Sequence, residues 1–92
     1  MTPETAEVLA LQALAWIVAE DEILPLFLAA TGAGLADLRA QAAEPEFQGA
    51  VLDFLLQDDA RVVAFCDGHG HPYSAPLSAR LALPGGAETH WT

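Results

Sequence analysis

The placement of proline and glycine is the feature that most constrains this fold. Four of the six prolines open an apolar stretch whose large residues recur at helical spacing, and almost nothing alternates as a strand would. Glycines follow several of these stretches, as expected where helices end. The sequence therefore predicts an all-α protein with helices at Pro3–Ala19, Glu22–Ala30, Leu35–Ala43, Pro45–Gln57, Ala60–Asp67 and, last, between Ser74 and Pro84.

The starts of the predicted helices carry suitable capping residues. Thr2 followed by Pro3 is typical of a helix start, because the threonine oxygen can accept a hydrogen bond from a free backbone N–H. By the same reasoning we expect Asp21, Asp59 and Ser74 to cap the second, fifth and sixth helices. Most of the first helix is apolar, which predicts a central helix surrounded by the others.

The second half of the chain resembles the first. An offset of 38 residues, with one insertion further on, aligns Leu14 with Leu52, Asp21 with Asp59, Phe27 with Phe65, Gly32 with Gly70 and Leu38 with Leu77. We therefore predict two three-helix units, roughly 1–43 and 44–84, that pack together because neither can bury its apolar faces alone. The expected organisation is a single compact domain of about six helices over residues 1–86, followed by a C-terminal tail at 87–92.

The charge of the chain limits its partners. There are 13 acidic residues against 3 Lys and Arg, and the formal net charge is -10. Phosphate groups are repelled by such a surface, so neither nucleic acid nor an anionic membrane is an expected partner. The first apolar run, from Val8 to Ala19, is too short to span a bilayer and follows no basic segment, which favours a soluble cytoplasmic protein.

The segment CDGHGHPY, from Cys66 to Tyr73, is the one stretch that resembles a chemical site. Cys66, His69 and His71 could bind zinc or nickel, or could form a thiol-dependent centre. Their spacing is not that of a recognised structural zinc site, and the chain has no second Cys. The matching segment of the first unit, LAATGAG, holds no metal ligand, so a helix end is the favoured interpretation and no cofactor is expected.

Two acidic clusters lie where predicted helices meet. Glu20, Asp21 and Glu22 follow the first helix, and Asp58 and Asp59 follow the fourth. We expect them to form two separate acidic corners that flank the junction of the units. Exposed carboxylates act mainly on the rate and orientation of an encounter, so such corners would steer a basic partner.

The predicted function is that of a small non-enzymatic module that binds another, unidentified protein or a second copy of itself. An apolar content of 53% is high for the surface of so small a domain, and no catalytic constellation is recognisable. The expected contact residues are Glu20, Glu22 and Asp58, together with Trp91 in the tail. The alternative is a small metal-dependent or thiol-dependent enzyme or sensor centred on the CDGHGHPY segment.

The segments ALAWIVAEDE, PEF, VLDFLLQDD and LPGG, taken together, resemble a small domain-of-unknown-function family of alphaproteobacterial proteins. The resemblance extends over nearly the whole chain. It implies a bacterial cytosolic origin and no particular activity, cofactor or catalytic residue. The chain differs from the family pattern at CDGHGHPY, where Ala, Gly, Leu and Pro are usual.

Overall fold

Helices account for nearly all of the regular structure. The computed structural model describes residues 1–84, and within that range it contains six α-helices, one 3-10 turn at Leu35–Asp37 and no strand. The helices are α1 (Pro3–Ala19), α2 (Leu24–Thr31), α3 (Leu38–Gln41), α4 (Pro45–Leu56), α5 (Asp59–His69) and α6 (Ala75–Ala82). The predicted all-α class is confirmed. The tail predicted at 87–92, with Trp91, lies outside the described residues.

Proline fixes the start of the two longest helices, and glycine fixes the end of two others. α1 and α4 begin at the predicted prolines. The N–H groups in the first turn of a helix have no intrahelical acceptor, so proline, which lacks this N–H, loses no hydrogen bond there. α2 and α5 end at Gly32 and Gly70, which have φ of 72° and 70°, a left-handed conformation that other residues rarely adopt. The other bounds differ slightly from prediction, and the third helix is a 3-10 turn followed by one α-helical turn.

The first helix is capped as predicted, but the fifth is not. Thr2 Oγ1 accepts a hydrogen bond from the Thr5 N–H at 3.1 Å. At α5 the cap is Asp58, whose Oδ1 accepts from the Ala60 N–H at 2.9 Å, so the prediction of Asp59 was wrong. Asp58 has the extended backbone that a capping residue needs, whereas Asp59 is already the first helical residue.

Replacing Asp58 by alanine is expected to lower the free energy of unfolding by about 1 kcal/mol, because a backbone N–H of the first turn loses its partner. Asp59→Ala removes an equal charge from the same turn but no capping bond, and should cost about half as much or less. Urea denaturation followed by circular dichroism measures both changes. Equal losses would show that negative charge alone, and not the capping bond, stabilises this end of α5.

Two further predicted caps make no side-chain bond. Asp21 does not cap α2, because the chain turns there with backbone bonds alone: the N–H groups of Ile23 and Leu24 both donate to the Glu20 carbonyl at 3.0 Å. Ser74 does stand at the cap position of α6, but its hydroxyl makes no capping hydrogen bond. Both corners therefore leave polar side chains exposed to solvent.

The core lies where α1, α4 and α6 pack against one another. Phe27 of α2 is fully buried, and its ring meets the rings of Phe47 and Phe54 edge to face, with centroids 5.9 and 5.3 Å apart. One cluster thus joins elements from both halves of the chain. Its larger members are Leu9, Leu14, Ile17, Phe27, Leu38, Phe47, Val51, Leu52, Phe54, Leu55, Val62, Phe65, Cys66 and Leu83.

The internal repeat stays a prediction. Phe27 and Phe65, which the offset pairs, are both fully buried. Leu38 and Leu77, which it also pairs, differ: Leu38 is 6% exposed and Leu77 is 52% exposed. Equivalent sequence positions therefore do not always have equivalent surroundings in this fold.

The expectation that α1 is surrounded by other helices was wrong. Its inner side packs against α2, α4 and α6, but Val8, Leu11 and Val18 on the outer side are exposed. The other five described helices have 4 to 12 residues each and are too few and too short to enclose a helix of 17 residues on every side. Among the described helices, none combines the length and the hydropathy needed to cross a membrane.

Candidate functional site

The two acidic clusters meet in the folded chain. The rings of Trp16 on α1 and Phe65 on α5 pack edge to face with centroids 6.1 Å apart. This contact holds the end of α1 against α5, so that Glu20 and Glu22 line the same groove as Asp58. The prediction of two separate acidic corners was wrong, because the corner between α1 and α2 lies beside the corner between α4 and α5.

We call this groove the acidic groove. It is open to solvent and has a volume of about 280 Å³. Its apolar residues include Leu26, which is 53% exposed, and the half-buried Trp16 and Ile23. Three carboxylates and one guanidinium accompany them. The full lining is Trp16, Glu20, Glu22, Ile23, Leu26, Asp58, Ala60, Arg61 and Ala64.

The single cation of the acidic groove is held against the protein. Arg61 Nη1 donates to the Phe54 carbonyl oxygen at 3.0 Å, and the guanidinium carbon lies 4.0 Å from the centroid of the Phe54 ring. The Arg61 side chain is only 17% exposed, and its Nε is 3.9 Å from the Asp58 carboxylate, which is a long ion pair. The groove therefore presents an excess of negative charge to solvent.

A larger depression between α2 and α4 is a weaker candidate. Its volume is about 490 Å³, and Glu44 and Glu46 contribute carboxylates to it. Its large apolar residues, Phe47 and Phe54, are almost fully buried, so they offer little surface to a partner. The acidic groove differs because Leu26 is more than half exposed there. Exposed apolar area supplies most of the energy of protein binding, which favours the smaller groove.

Cys66 is a core residue. It is fully buried on α5, and its thiol donates to the Pro72 carbonyl with Sγ and O 3.5 Å apart. Burial first, and then the negative charge of Asp67, raise the pKa of the Cys66 thiol. A raised pKa disfavours the thiolate, which is the form that attacks electrophiles and binds metals.

His69 and His71 close the end of α5. Their ring centroids lie 4.7 and 5.7 Å from that of Phe65 and 6.4 Å from each other. His69 Nδ1 is 3.2 Å from the Phe65 carbonyl oxygen, and His71 Nε2 is 2.7 Å from Gln12 Oε1 on α1. In the part of the chain that the structure describes, no three His, Cys, Asp or Glu residues are arranged to hold a metal ion. These contacts pack the C-terminal end of α5 against α1.

The sequence reasoning missed the apolar half of the acidic groove. Trp16, Ile23, Leu26 and Arg61 were not singled out as contact residues, although all four line the groove. No local signal separated Leu26 from Phe27, because two consecutive helix residues can both be buried, as Phe65 and Cys66 are in this fold. Trp91, the fourth predicted contact residue, lies in the tail and outside the described residues.

Comparison with known proteins identifies a family and no characterised relative. The sequence model of a family described as "Protein of unknown function (DUF3572)" matches residues 3–86. The match includes every residue that lines the acidic groove and the whole CDGHGHPY segment. No curated protein and no solved structure matches the chain.

Proposed function

We propose that this chain, which belongs to the DUF3572 family, is a small non-enzymatic module that binds another protein through the acidic groove. The observation that carries the proposal is that Glu20, Glu22 and Asp58 share one groove with exposed apolar side chains. The proposed partner is a protein segment that presents Lys or Arg around an apolar patch. Its apolar side chains would contact Trp16 and Leu26.

The dimensions of the acidic groove favour a protein segment over a small molecule. Pockets for drug-sized ligands usually have volumes of about 300–1,000 Å³ and enclose most of the ligand. The acidic groove has about 280 Å³ and is open to solvent, which suits one or two side chains of a partner. Apolar contact with Leu26 would supply affinity, and the carboxylates would orient the partner and raise its association rate.

The alternative of a metal-dependent or thiol-dependent centre has less support. Cys66 is fully buried with a raised thiol pKa, and its Sγ is already within hydrogen-bond distance of the Pro72 carbonyl. His71 contacts Gln12 rather than a second ligand, and His69 contacts its own helix. These contacts account for the three side chains as parts of a packed helix end.

Charge reversal in the acidic groove is expected to slow the binding of a basic partner. The probe is a fluorescently labelled amphipathic helical peptide of Leu and Lys, with association followed by stopped-flow anisotropy at low salt. Glu20→Lys combined with Glu22→Lys should reduce the association rate by about tenfold or more. Asp58 is left unchanged because it caps α5. Thermal melts monitored by circular dichroism confirm that the variant folds.

A matched variant separates local charge from total charge. Glu44→Lys combined with Glu46→Lys changes the net charge by the same amount, but both residues line the larger depression instead. We expect this variant to slow association much less. If the two variants slow association equally, only overall charge matters. If the second has the larger effect, the peptide uses the other depression, and in either case the proposed site is wrong.

The apolar half of the acidic groove is tested with the same peptide. Leu26→Ala should raise the dissociation rate and change the association rate little, because the contact is apolar. Leu77→Ala on α6 is the matched control, since Leu77 is 52% exposed and does not line the groove. A similar dissociation rate for both variants would mean that Leu26 is not part of the contact.

A further inference from the structure

The outer face of α1 carries a row of exposed apolar residues. Val8, Leu11, Ala15 and Val18 are spaced by three and four residues, which places them along one side of the helix. Val8, Leu11 and Val18 are 56%, 42% and 40% exposed. We call these four residues the α1 stripe. Single exposed apolar residues are common on proteins, but a continuous row indicates a contact surface.

A groove follows the C-terminal half of the α1 stripe and contains a cation. The groove has a volume of about 470 Å³. Its lining is Leu11, Leu14, Ala15 and Val18 from α1, with Leu38, Arg39 and Ala42 from the region of α3. Of the 3 Lys and Arg residues in the chain, Arg61 and Arg80 make ion pairs. Arg39 is exposed and makes no ion pair within residues 1–84.

Carboxylates lie at the other end of the α1 stripe. Glu4 precedes Val8 by four residues and lies in line with the stripe, while Glu7 precedes Leu11 by four residues along one edge. At 1.5 Å per residue, Glu4 lies about 17 Å along the helix from Ala15, which borders the groove with Arg39. The N-terminal end of this face is therefore acidic, while Arg39 lies beside its C-terminal half, before the acidic residues Glu20, Asp21 and Glu22 that follow α1.

We propose that a second copy of this chain docks on the α1 stripe, with the two α1 helices antiparallel. In that arrangement the N-terminal half of one α1 lies against the C-terminal half of the other. Val8 then packs near Val18 of the partner subunit, and Glu4 or Glu7 faces the partner's Arg39. A two-fold axis forms each contact twice, as in most homodimers.

Charge complementarity favours a second copy of this chain as the partner that binds the α1 stripe. The acidic end and the single cation complement one another only when the helices run in opposite directions, and both come from the same short surface. The inference goes beyond the proposed function, because the α1 stripe shares no residue with the acidic groove. A peptide in the acidic groove and a second copy on α1 are separately testable.

The dimer is expected to strengthen as salt rises. Two copies with a net charge of -10 each repel one another at long range, and this repulsion is screened when the Debye length falls from about 30 Å at 0.01 M to about 8 Å at 0.15 M salt. Exposed ion pairs contribute too little to reverse this trend. Binding of the basic peptide in the acidic groove should show the opposite salt dependence, so the two contacts are distinguishable.

Sedimentation velocity of the full chain over a range of concentrations tests the proposal. We expect dimers in the micromolar range at 0.15 M salt, and about a tenfold or larger rise in the dissociation constant for Val8→Glu, which places a charge in the apolar contact. Val8 is more than half exposed, so this change should leave the fold intact. A wild-type chain that stays monomeric at all concentrations overturns the proposal.

The role of Arg39 is tested by a charge swap. Arg39→Glu should weaken the dimer more than Gly68→Glu combined with Ser78→Glu, which adds the same charge at exposed sites on α5 and α6. Combining Arg39→Glu with Glu4→Arg or with Glu7→Arg should, for at least one of the two pairs, restore the dimer towards wild type, because the ion pair forms again with its signs exchanged. If Arg39→Glu weakens the dimer no more than the control, or neither swap restores the dimer, the antiparallel α1 contact is wrong.

Discussion

Phe27→Ala is expected to lower the free energy of unfolding by about 3–5 kcal/mol. The side chain is fully buried, and its ring meets Phe47 and Phe54 edge to face, so the change removes apolar burial, leaves a cavity and ends two aromatic contacts. Domains of this size are stable by only about 5–15 kcal/mol, so a large part of that stability is lost. Urea denaturation of the wild type and the variant, followed by circular dichroism, measures the difference.

The neighbouring residue supplies the control for Phe27. Leu26→Ala truncates a large side chain on the same helix, but Leu26 is 53% exposed. We expect its effect on the free energy of unfolding to be within about 0.5 kcal/mol. Comparable losses for the two variants would show that α2 is stabilised by its sequence as a helix, and not by docking Phe27 between the rings of α4.

Phe65→Ala is expected to cost a similar amount, about 3–5 kcal/mol, for a different set of contacts. Phe65 is fully buried, its ring packs against Trp16 on α1, and the rings of His69 and His71 lie on it. Its loss should therefore loosen α5 from α1 and, with it, one side of the acidic groove. The same urea denaturation experiment measures the change. A loss below about 1 kcal/mol, the typical value for point mutants, would mean that α5 is held by other contacts.

Two variants keep the Phe65 prediction specific. Val63→Ala truncates a side chain of α5 that is 40% exposed, and should change the unfolding free energy by no more than about 0.5 kcal/mol. Phe65→Leu removes the ring but keeps most of the apolar volume, so the protein should stay folded. In that variant the imidazole NMR signals of His69 and His71 should shift, because the aromatic ring beneath them is gone. Unshifted signals would contradict the stacked arrangement.

The positions of the helices could be read from the sequence because their signals are local. Pro3 and Pro45 fix helix starts through the missing N–H, and Gly32 and Gly70 fix helix ends through their left-handed backbone. These effects depend on residues a few positions away along the chain. Such local rules cannot choose between two neighbouring residues that are both suitable helix caps. Asp58 and Asp59 are both suitable caps of α5. Because the helix begins at Asp59, it is Asp58 that accepts the hydrogen bond from the Ala60 N–H.

The acidic residues of the candidate site could be predicted from the sequence, but their arrangement could not. The sequence identified Glu20, Glu22 and Asp58, because acidic residues at helix ends are visible as a pattern. It did not place them in one groove, and it did not show that Leu26 would be exposed beside them. That arrangement depends on how α1 and α5 are placed relative to each other in the fold, where the rings of Trp16 and Phe65 meet edge to face.

The all-α class, the approximate bounds of most helices and the excess of negative charge could be predicted without the structure, since each follows from local propensity or from composition. The covered face of α1, and the single groove that the two acidic clusters share, became visible only in the folded chain. Helices dock through many small contacts between residues far apart in sequence, so no local pattern of residues predicts how they pack. Both proposed contact surfaces, the acidic groove and the α1 stripe, result from this packing of the helices.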